Sequence, residues 1–463
     1  LHLVQGEPDP KQICYPAGFQ PGHLYELIYR ARDPLVMGLG FAVTRDLGAF
    51  LKTANKDDAG TKNPVAHGSG IRAIVMGTSQ SGRMIRSFID LGFNQAGPNA
   101  PVPNARVFDG ALPHIGGGLL PLSLRFAQPG RAWGQQVDHL YPAYDFPFTY
   151  AKETDPLTGR TQGISDRCTA TDTCPRIIHA ATALEMWEGR QSLGLTDPLG
   201  LHDAPEPPNV RTYIMVSTQH GPAALPLPTK APFGGNACIQ QPNPNPHTWT
   251  MRALLSDLAG WVRDDKAPPP SMVPRLADST LVSPDAVRFP AIPANGYNGV
   301  TRPAVHYSGD VNPLHVLDFG PEYRPGDTGG VITIEPPRVG SASYAVLVPQ
   351  VDGDGNDLGG VRSVYVAAPI GTYTSWNHFR PDWFDGGFCN FNGSFIPFAA
   401  TKAEREAAGD PRPSLEERYP DKAAYVDAVR RAVVQLAGQG LLLPEDGERL
   451  VAEAEKDGVR AGP

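Results

Sequence analysis

Short apolar runs alternate along this chain with segments whose apolar residues recur at helical spacing. Residues 71–76 form an apolar run that breaks at Gly77, and from Met84 the period changes, so that Met84, Ile85, Phe88 and Ile89 fall on one helical face. That pattern predicts a strand, a sharp turn and a helix. Upstream, residues 24–32 alternate apolar and polar positions as a half-buried strand does, and Asp33-Pro34 ends the run. Residues 41–52 carry a helical period with Phe41, Leu47, Phe50 and Leu51 inward. Further strands are predicted over 105–115, 176–184 and 210–216. A helix is predicted over 248–264, with Trp249, Leu254, Leu255, Leu258, Trp261 and Val262 on a broad apolar face. This alternation of strand and helix predicts an α/β class fold, a mainly parallel sheet with helices on both faces.

Two regions depart from the alternation. Residues 116–174 include a long irregular stretch carrying Trp133, Tyr141, Tyr144, Phe146, Phe148 and Tyr150, which reads as an inserted lid, with a surface excursion packed down by its aromatics as the alternative. After Ala267-Pro268-Pro269-Pro270-Ser271, residues 287–376 read as several strands separated by Pro and Gly turns, and 414–456 as helical, with Tyr425, Val429, Val433 and Leu436 in one stripe. The expected organisation is a core over 1–266 and a β-rich and helical accessory region over 267–463 packed on it. Asp352 to Asp357, DGDGND, spaces oxygen donors like the opening of a calcium loop. The downstream Glu is missing and both flanks look like strands, so a hairpin turn is expected there.

Composition narrows the classes. A formal charge of -8 without a Lys/Arg stripe argues against nucleic acid as a partner, and no run has the roughly 18 apolar residues of a membrane helix. Of the five cysteines, Cys168 and Cys174 bracket a short polar loop, and Cys238 and Cys389 lie in Gly/Asn-rich segments able to meet in space. Disulfides favour a secreted or periplasmic location, against five reduced thiols in a cytosolic enzyme. No C-x-x-C pair or His cluster suggests zinc.

The candidate chemistry sits at the strand ends. Gly77-Thr78-Ser79-Gln80-Ser81-Gly82 is a nucleophile elbow in outline: the turn lifts the Ser79 hydroxyl above the sheet, and the helix N-terminus offers the Gln80 N–H to an oxyanion. Ser81 stands where the elbow pattern has Gly. Taking Ser81 as nucleophile would place bulky Arg83 two residues after it. The bland alternative is an ordinary crossover with a polar cap. His220 follows the 210–216 strand and suits a general base. An acid must lie between Ser79 and His220 in the usual order, and Glu185, Glu188, Asp197, Asp203 and Asp109 are available. Glu185 is preferred because it stands at the carboxyl end of its strand, whereas Asp197 and Asp203 lie in a Pro/Gly turn. His114 and His139 read as structural histidines.

The segments GTSQSGRMIRSFIDLGFN, YELIYRARDPLVMGLGFAVTRDL, STQHGP, GTYTSWN, GSFIPF and DPRPSLEERY together resemble the family of large bacterial α/β-hydrolase-domain proteins with an S-Q-S-G-R elbow. The resemblance covers nearly the whole chain. It implies an α/β-hydrolase fold, Ser79 as nucleophile, His220 as base and Glu185, in the TALEMW block, as the acid. Members are assigned as serine hydrolases mainly by fold, so the substrate stays open. Family members carry a longer segment before the Y-E-L-x-Y strand, with a Gly-rich loop able to complete the oxyanion hole. Either that segment is missing here or the fold manages without it, and a second donor from residues 38–40 is a guess.

The resulting expectation is a serine esterase forming an acyl-enzyme through Ser79, His220 and Glu185, with Gln80 N–H at the oxyanion and no cofactor or metal. Its partner would be a small-molecule ester, bulky or aromatic if the aromatic insertion is a lid. A peptidase or acyltransferase with the same residues, or a non-catalytic hydrolase-like binding protein, are the alternatives.

Overall fold

In the computed structural model, the described residues are 13–20, 23, 25, 37–65, 67–68, 70–120, 145–227, 238–297, 299–324, 327, 331–334, 337–383, 386–389 and 391–459. The strand expected over 24–32, apart from Tyr25, the middle of the expected lid at 121–144, and with it Trp133, His139, Tyr141 and Tyr144, lie outside them.

Four strands form a parallel sheet in chain order: β1 (Ile74–Thr78), β2 (Gly110–His114), β3 (Arg176–Thr182) and β4 (Val210–Met215). Strand residues alternate between two covered faces, which decides where the helices pack. Helix α2 (Gln80–Asp90) lays Ile85 and Ile89 on Ala111, Ile177 and Val210. On the other face, Leu112, Ile178, Ala180, Tyr213 and Met215 meet Leu254, Leu258 and Trp261 of α4 (Thr248–Asp264). Each such fully buried side chain contributes about 1.5–3 kcal/mol. Leu255, expected inward, is 40% exposed, because it lies off the face of α4 that buries Met251, Leu254, Leu258 and Trp261.

Helix α1 (Leu39–Thr53) is one turn edge longer than its apolar pattern suggested. It packs through Phe41 on Phe93 and through Gly48, where an added Cβ would meet Val107 and Phe108 at 2.8 and 2.9 Å. Leu47, expected inward, is 53% exposed. The close approach at Gly48 turns its neighbour away.

Past residue 266 the chain closes over the sheet. Met272 and Val361 bridge to Tyr213 and Met215 in parallel, extending the sheet edge beyond β4. The antiparallel pair β5 (Gly371–Thr374) and β6 (Ser394–Pro397) is tied to the core through a bridge between Gln241 and Phe395. Helices α5 (Lys422–Gly438) and α6 (Pro444–Asp457) place Val426, Val429, Leu436 and Leu450 in the apolar cluster that holds Leu112 and Leu254. The two sides of residue 266 therefore share one core. At DGDGND the chain does turn back, with Val351 bridging Asp357 and Asp352 Oδ1 accepting from Asp354 and Asn356 N–H. The second flank is not the expected strand. After pairing with β4 at Val361, the chain forms a short helix over Val364–Ala367.

Candidate active site

Ser79 sits between β1 and α2 with φ 59° and ψ -121°, a positive φ that a non-glycine residue adopts only under local constraint. The constraint is visible. Ser79 N–H donates to the His114 carbonyl at 2.9 Å, and a Cβ on Gly82 would meet that same oxygen at 2.5 Å. Gly77 is equally closed, its added Cβ falling 2.5 Å from the Ser81 carbonyl. The close helix–strand contact thus falls on Gly82, one place beyond the Ser81 that replaces the usual Gly, and Ser81 itself is exposed. Gln80 opens α2, so its N–H has no intrahelical acceptor.

His220 Nε2 lies 2.9 Å from Ser79 Oγ, and His220 Nδ1 lies 2.6 Å from Glu185 Oε1. A carboxylate accepts only, so Nδ1 carries the proton and donates to Glu185, leaving Nε2 to accept the Ser79 O–H. Glu185 is in the first turn of α3 (Leu184–Trp187), directly after β3, and is buried. Its Oε2 accepts the Thr182 N–H at 2.9 Å and the Thr182 hydroxyl. The carboxylate is therefore aimed by its own strand end. The sequence signal for this partner is the spacing Thr182-x-x-Glu185, that of a capping box.

The segment bearing His220 is held mainly from beyond residue 238. Ser217, with φ 54°, exchanges two hydrogen bonds with Asp357, and its carbonyl accepts from Asn243 Nδ2 and Asn245 Nδ2 at 2.9 and 2.8 Å. Gln219 Oε1 accepts from Asn243 N–H at 2.9 Å and Gly393 N–H at 2.8 Å. Asp357 Oδ1 also accepts from Trp187 Nε1, and Oδ2 from Ser375 Oγ. Burial pushes this carboxyl up to about 6, against the downward pull of its donors and of Arg362.

Two more imidazoles lie behind the first. His114, at the end of β2, meets His247, the residue before α4, with ring centroids 4.9 Å apart. Burial, with repulsion from His247 and His220, lowers His114 to about 3; burial lowers His247 to about 4, opposed by Glu185. Both are neutral at pH 7. Phe391 lies over His220 with ring centroids 4.6 Å apart and planes 32° apart. Gln219, Phe391 and His247 were not singled out from sequence, and Asp357 was read only as part of the DGDGND turn.

The other candidates go elsewhere. Asp197 accepts the N–H groups of Leu199, Leu201 and His202 in a turn, Asp203 those of Leu276 and Ala277, and Asp109 pairs with Lys52 at 2.8 Å. Glu188 is buried just past the end of the same short helix, as its C-cap. Residues 38–40 adjoin Phe41, which stacks on Phe93 beyond the C-terminal end of α2, so they stand at the opposite end of that helix from Ser79. Phe146, Phe148 and Tyr150 are buried, packed with Tyr344, Leu314 and Ile164. Among the described residues, no group of three or more His, Cys, Asp or Glu is arranged to hold a metal ion.

The family described as an alpha/beta hydrolase domain matches residues 10–452. The chain belongs to that family. No curated protein and no solved structure matches this alpha/beta hydrolase. The family match extends on both sides of residue 266, as the shared core does. Two disulfides, Cys168–Cys174 and Cys238–Cys389, are compatible with an extracellular location of the alpha/beta hydrolase, and Cys14 is free and exposed. Among the described residues, no helix is long and apolar enough to cross a membrane.

Proposed function

We propose that this alpha/beta hydrolase is a serine hydrolase that cleaves carboxylic esters of small molecules through an acyl-enzyme. The observation that carries the reading is the unbroken line Ser79 Oγ, His220, Glu185, with contacts of 2.9 and 2.6 Å. Ser79 Oγ attacks the ester carbonyl carbon as its proton passes to His220 Nε2. The former carbonyl oxygen carries the negative charge and faces the Gln80 N–H. Collapse expels the alkoxide, which takes the proton from His220, and water then repeats the sequence to release the acid and restore Ser79. Glu185 stabilises the imidazolium formed in each half and fixes the tautomer. These steps use no cofactor. The disulfides support a secreted or periplasmic setting.

The test is hydrolysis of short and medium p-nitrophenyl esters by the wild-type chain and by Ser79→Ala, both checked for folding, with fluorophosphonate labelling alongside. The expected result is labelling at Ser79 and a fall in kcat of about 10⁴- to 10⁶-fold in the variant. Unchanged hydrolysis in Ser79→Ala would overturn the reading, and a folded wild type that neither labels nor hydrolyses would favour a binding protein. Activity on peptides in place of esters would move the chain to the peptidases.

A further inference from the structure

We propose that Phe391 is a positioning residue for His220, and that the Cys238–Cys389 disulfide and the Gly393–Gln219 contact set its place. The inference rests on the Ser79–His220–Glu185 reading and deepens it, since it assigns part of the working site to the last third of the chain.

The geometry is specific. The Phe391 ring lies 4.6 Å from the His220 ring at 32°, closer to stacked than to edge-on, and both residues are partly exposed. Phe391 holds φ 57°, a conformation that a non-glycine residue keeps only when its surroundings impose it. They do so on both sides. Cys389 is bonded to Cys238, and its N–H donates to Asn377 O at 2.7 Å. Gly393 N–H donates to Gln219 Oε1 at 2.8 Å, and a Cβ on Gly393 would lie 2.2 Å from Thr374 O, so only glycine fits. Gln219 is the residue before His220. The loop that carries the aromatic ring and the loop that carries the imidazole are thus tied to each other one residue from His220 and two from Phe391.

An aromatic face against this imidazole does two things. It blocks rotation of the ring out of the line between Ser79 and Glu185, and it offers a negative π face to the positive charge that His220 gains when it takes the Ser79 proton. The second effect is present in the transition state and absent in the resting enzyme, so it acts on kcat.

The experiment compares full-length wild type, Phe391→Leu, Phe391→Met, Phe391→Tyr and Ser79→Ala, each checked by circular dichroism and thermal melting. Readouts are kcat and KM on a short p-nitrophenyl ester and the rate of fluorophosphonate labelling. Phe391→Leu is expected to lower kcat about 3- to 30-fold with KM nearly unchanged, to slow labelling in parallel, and to be rescued by Tyr. Phe391→Met keeps the bulk without the ring and should fall with Leu, which covers the case in which the Leu variant does not fold. Unchanged kcat in the ring-less variants, or a rise in KM alone, overturns the assignment and makes Phe391 a wall of the substrate site. Activity that survives in Ser79→Ala, or no labelling of wild type, sinks the underlying serine-hydrolase reading and this assignment with it. Loss in Ser79→Ala with full activity in Phe391→Leu sinks the Phe391 assignment alone.

Discussion

Asp357 and Ser217 lock each other reciprocally across 140 residues of chain: Ser217 N–H donates to Asp357 Oδ2 at 2.7 Å, and Asp357 N–H donates to Ser217 Oγ at 2.7 Å. Ser217 is the second residue after the β4 end and holds φ 54°, so this pair sets the direction in which Thr218, Gln219 and His220 leave the sheet. A side chain from beyond residue 266 therefore aims the imidazole proposed as base.

Removing the carboxylate should disturb both fold and rate. Asp357→Ala leaves the Ser217 and Trp187 N–H groups buried without an acceptor, at about 1–3 kcal/mol each. Asp357→Asn can keep an oxygen on Ser217 by turning its NH₂ toward Trp187, and should cost less. The expected order in both melting temperature and kcat is wild type, then Asn, then Ala, with kcat in Ala down about 100-fold through displacement of His220. An Ala variant as active and as stable as wild type would show that the pair does not aim the loop.

The same carboxyl gives a pH dependence with a fixed sign. Burial raises Asp357 to about 6, above the 3.8 of an exposed carboxyl. The folded state then binds the proton more tightly than the unfolded chain, so the stability from this group is full below 3.8 and is lost as pH rises through 6. A separation of about two pH units corresponds to about 3 kcal/mol. Urea unfolding of wild type and Asp357→Asn at pH 4 and pH 7 checks it: the advantage of wild type over Asn should be larger at pH 4.

How much could be read without the structure follows from the range of the forces involved. The elbow was legible because Gly77, Ser79 and the period of Ile85, Phe88 and Ile89 are local, and α4 was legible to its ends because its apolar face is continuous from Met251 to Trp261. That His220 and Glu185 lie in line with Ser79 was legible because groups at the carboxyl ends of neighbouring parallel strands converge. Asp357 could not, because a buried acceptor for Ser217 looks in sequence like one more turn residue of DGDGND. The strand expected over 105–115 is shorter, Gly110–His114, because Arg106 bridges back to Gln95 and Asp109 turns to accept the Ala73 N–H. Phe391 carried no periodic signal at all, since its place comes from a disulfide and a glycine contact.

The two disulfides should separate in their effects. Cys238–Cys389 spans 151 residues and Cys168–Cys174 spans 6, so the chain-entropy treatment gives about 5 kcal/mol for the first and about 2 for the second. Only the first adjoins Phe391. Replacing Cys238 and Cys389 by Ser should lower the melting temperature more, and lower kcat by the same 3- to 30-fold as loss of the Phe391 ring. Replacing Cys168 and Cys174 by Ser should leave kcat unchanged, because that bridge packs with Ile85 and Ile164 beneath α2. Equal kcat in both pairs of variants would remove the disulfide from the positioning of His220.

The elbow itself makes the sharpest distinction between two adjacent residues. An added methyl on Gly82 meets backbone, His114 O at 2.5 Å and Gly77 O at 3.0 Å, and backbone cannot give way without moving β2 against α2. Gly82→Ala should therefore break the Ser79 N–H to His114 O bond, cost about 1–3 kcal/mol or more, and slow fluorophosphonate labelling at least about tenfold. Ser81 is exposed and its side chain takes no part in that contact, so Ser81→Ala should keep stability within about 0.5 kcal/mol and label at the wild-type rate. Labelling lost in Ser81→Ala and kept in Ser79→Ala would move the nucleophile two residues on. The packing argues against that, because the hydroxyl within 2.9 Å of His220 Nε2 belongs to the residue whose backbone is forced to φ 59° by the glycine on either side of the turn.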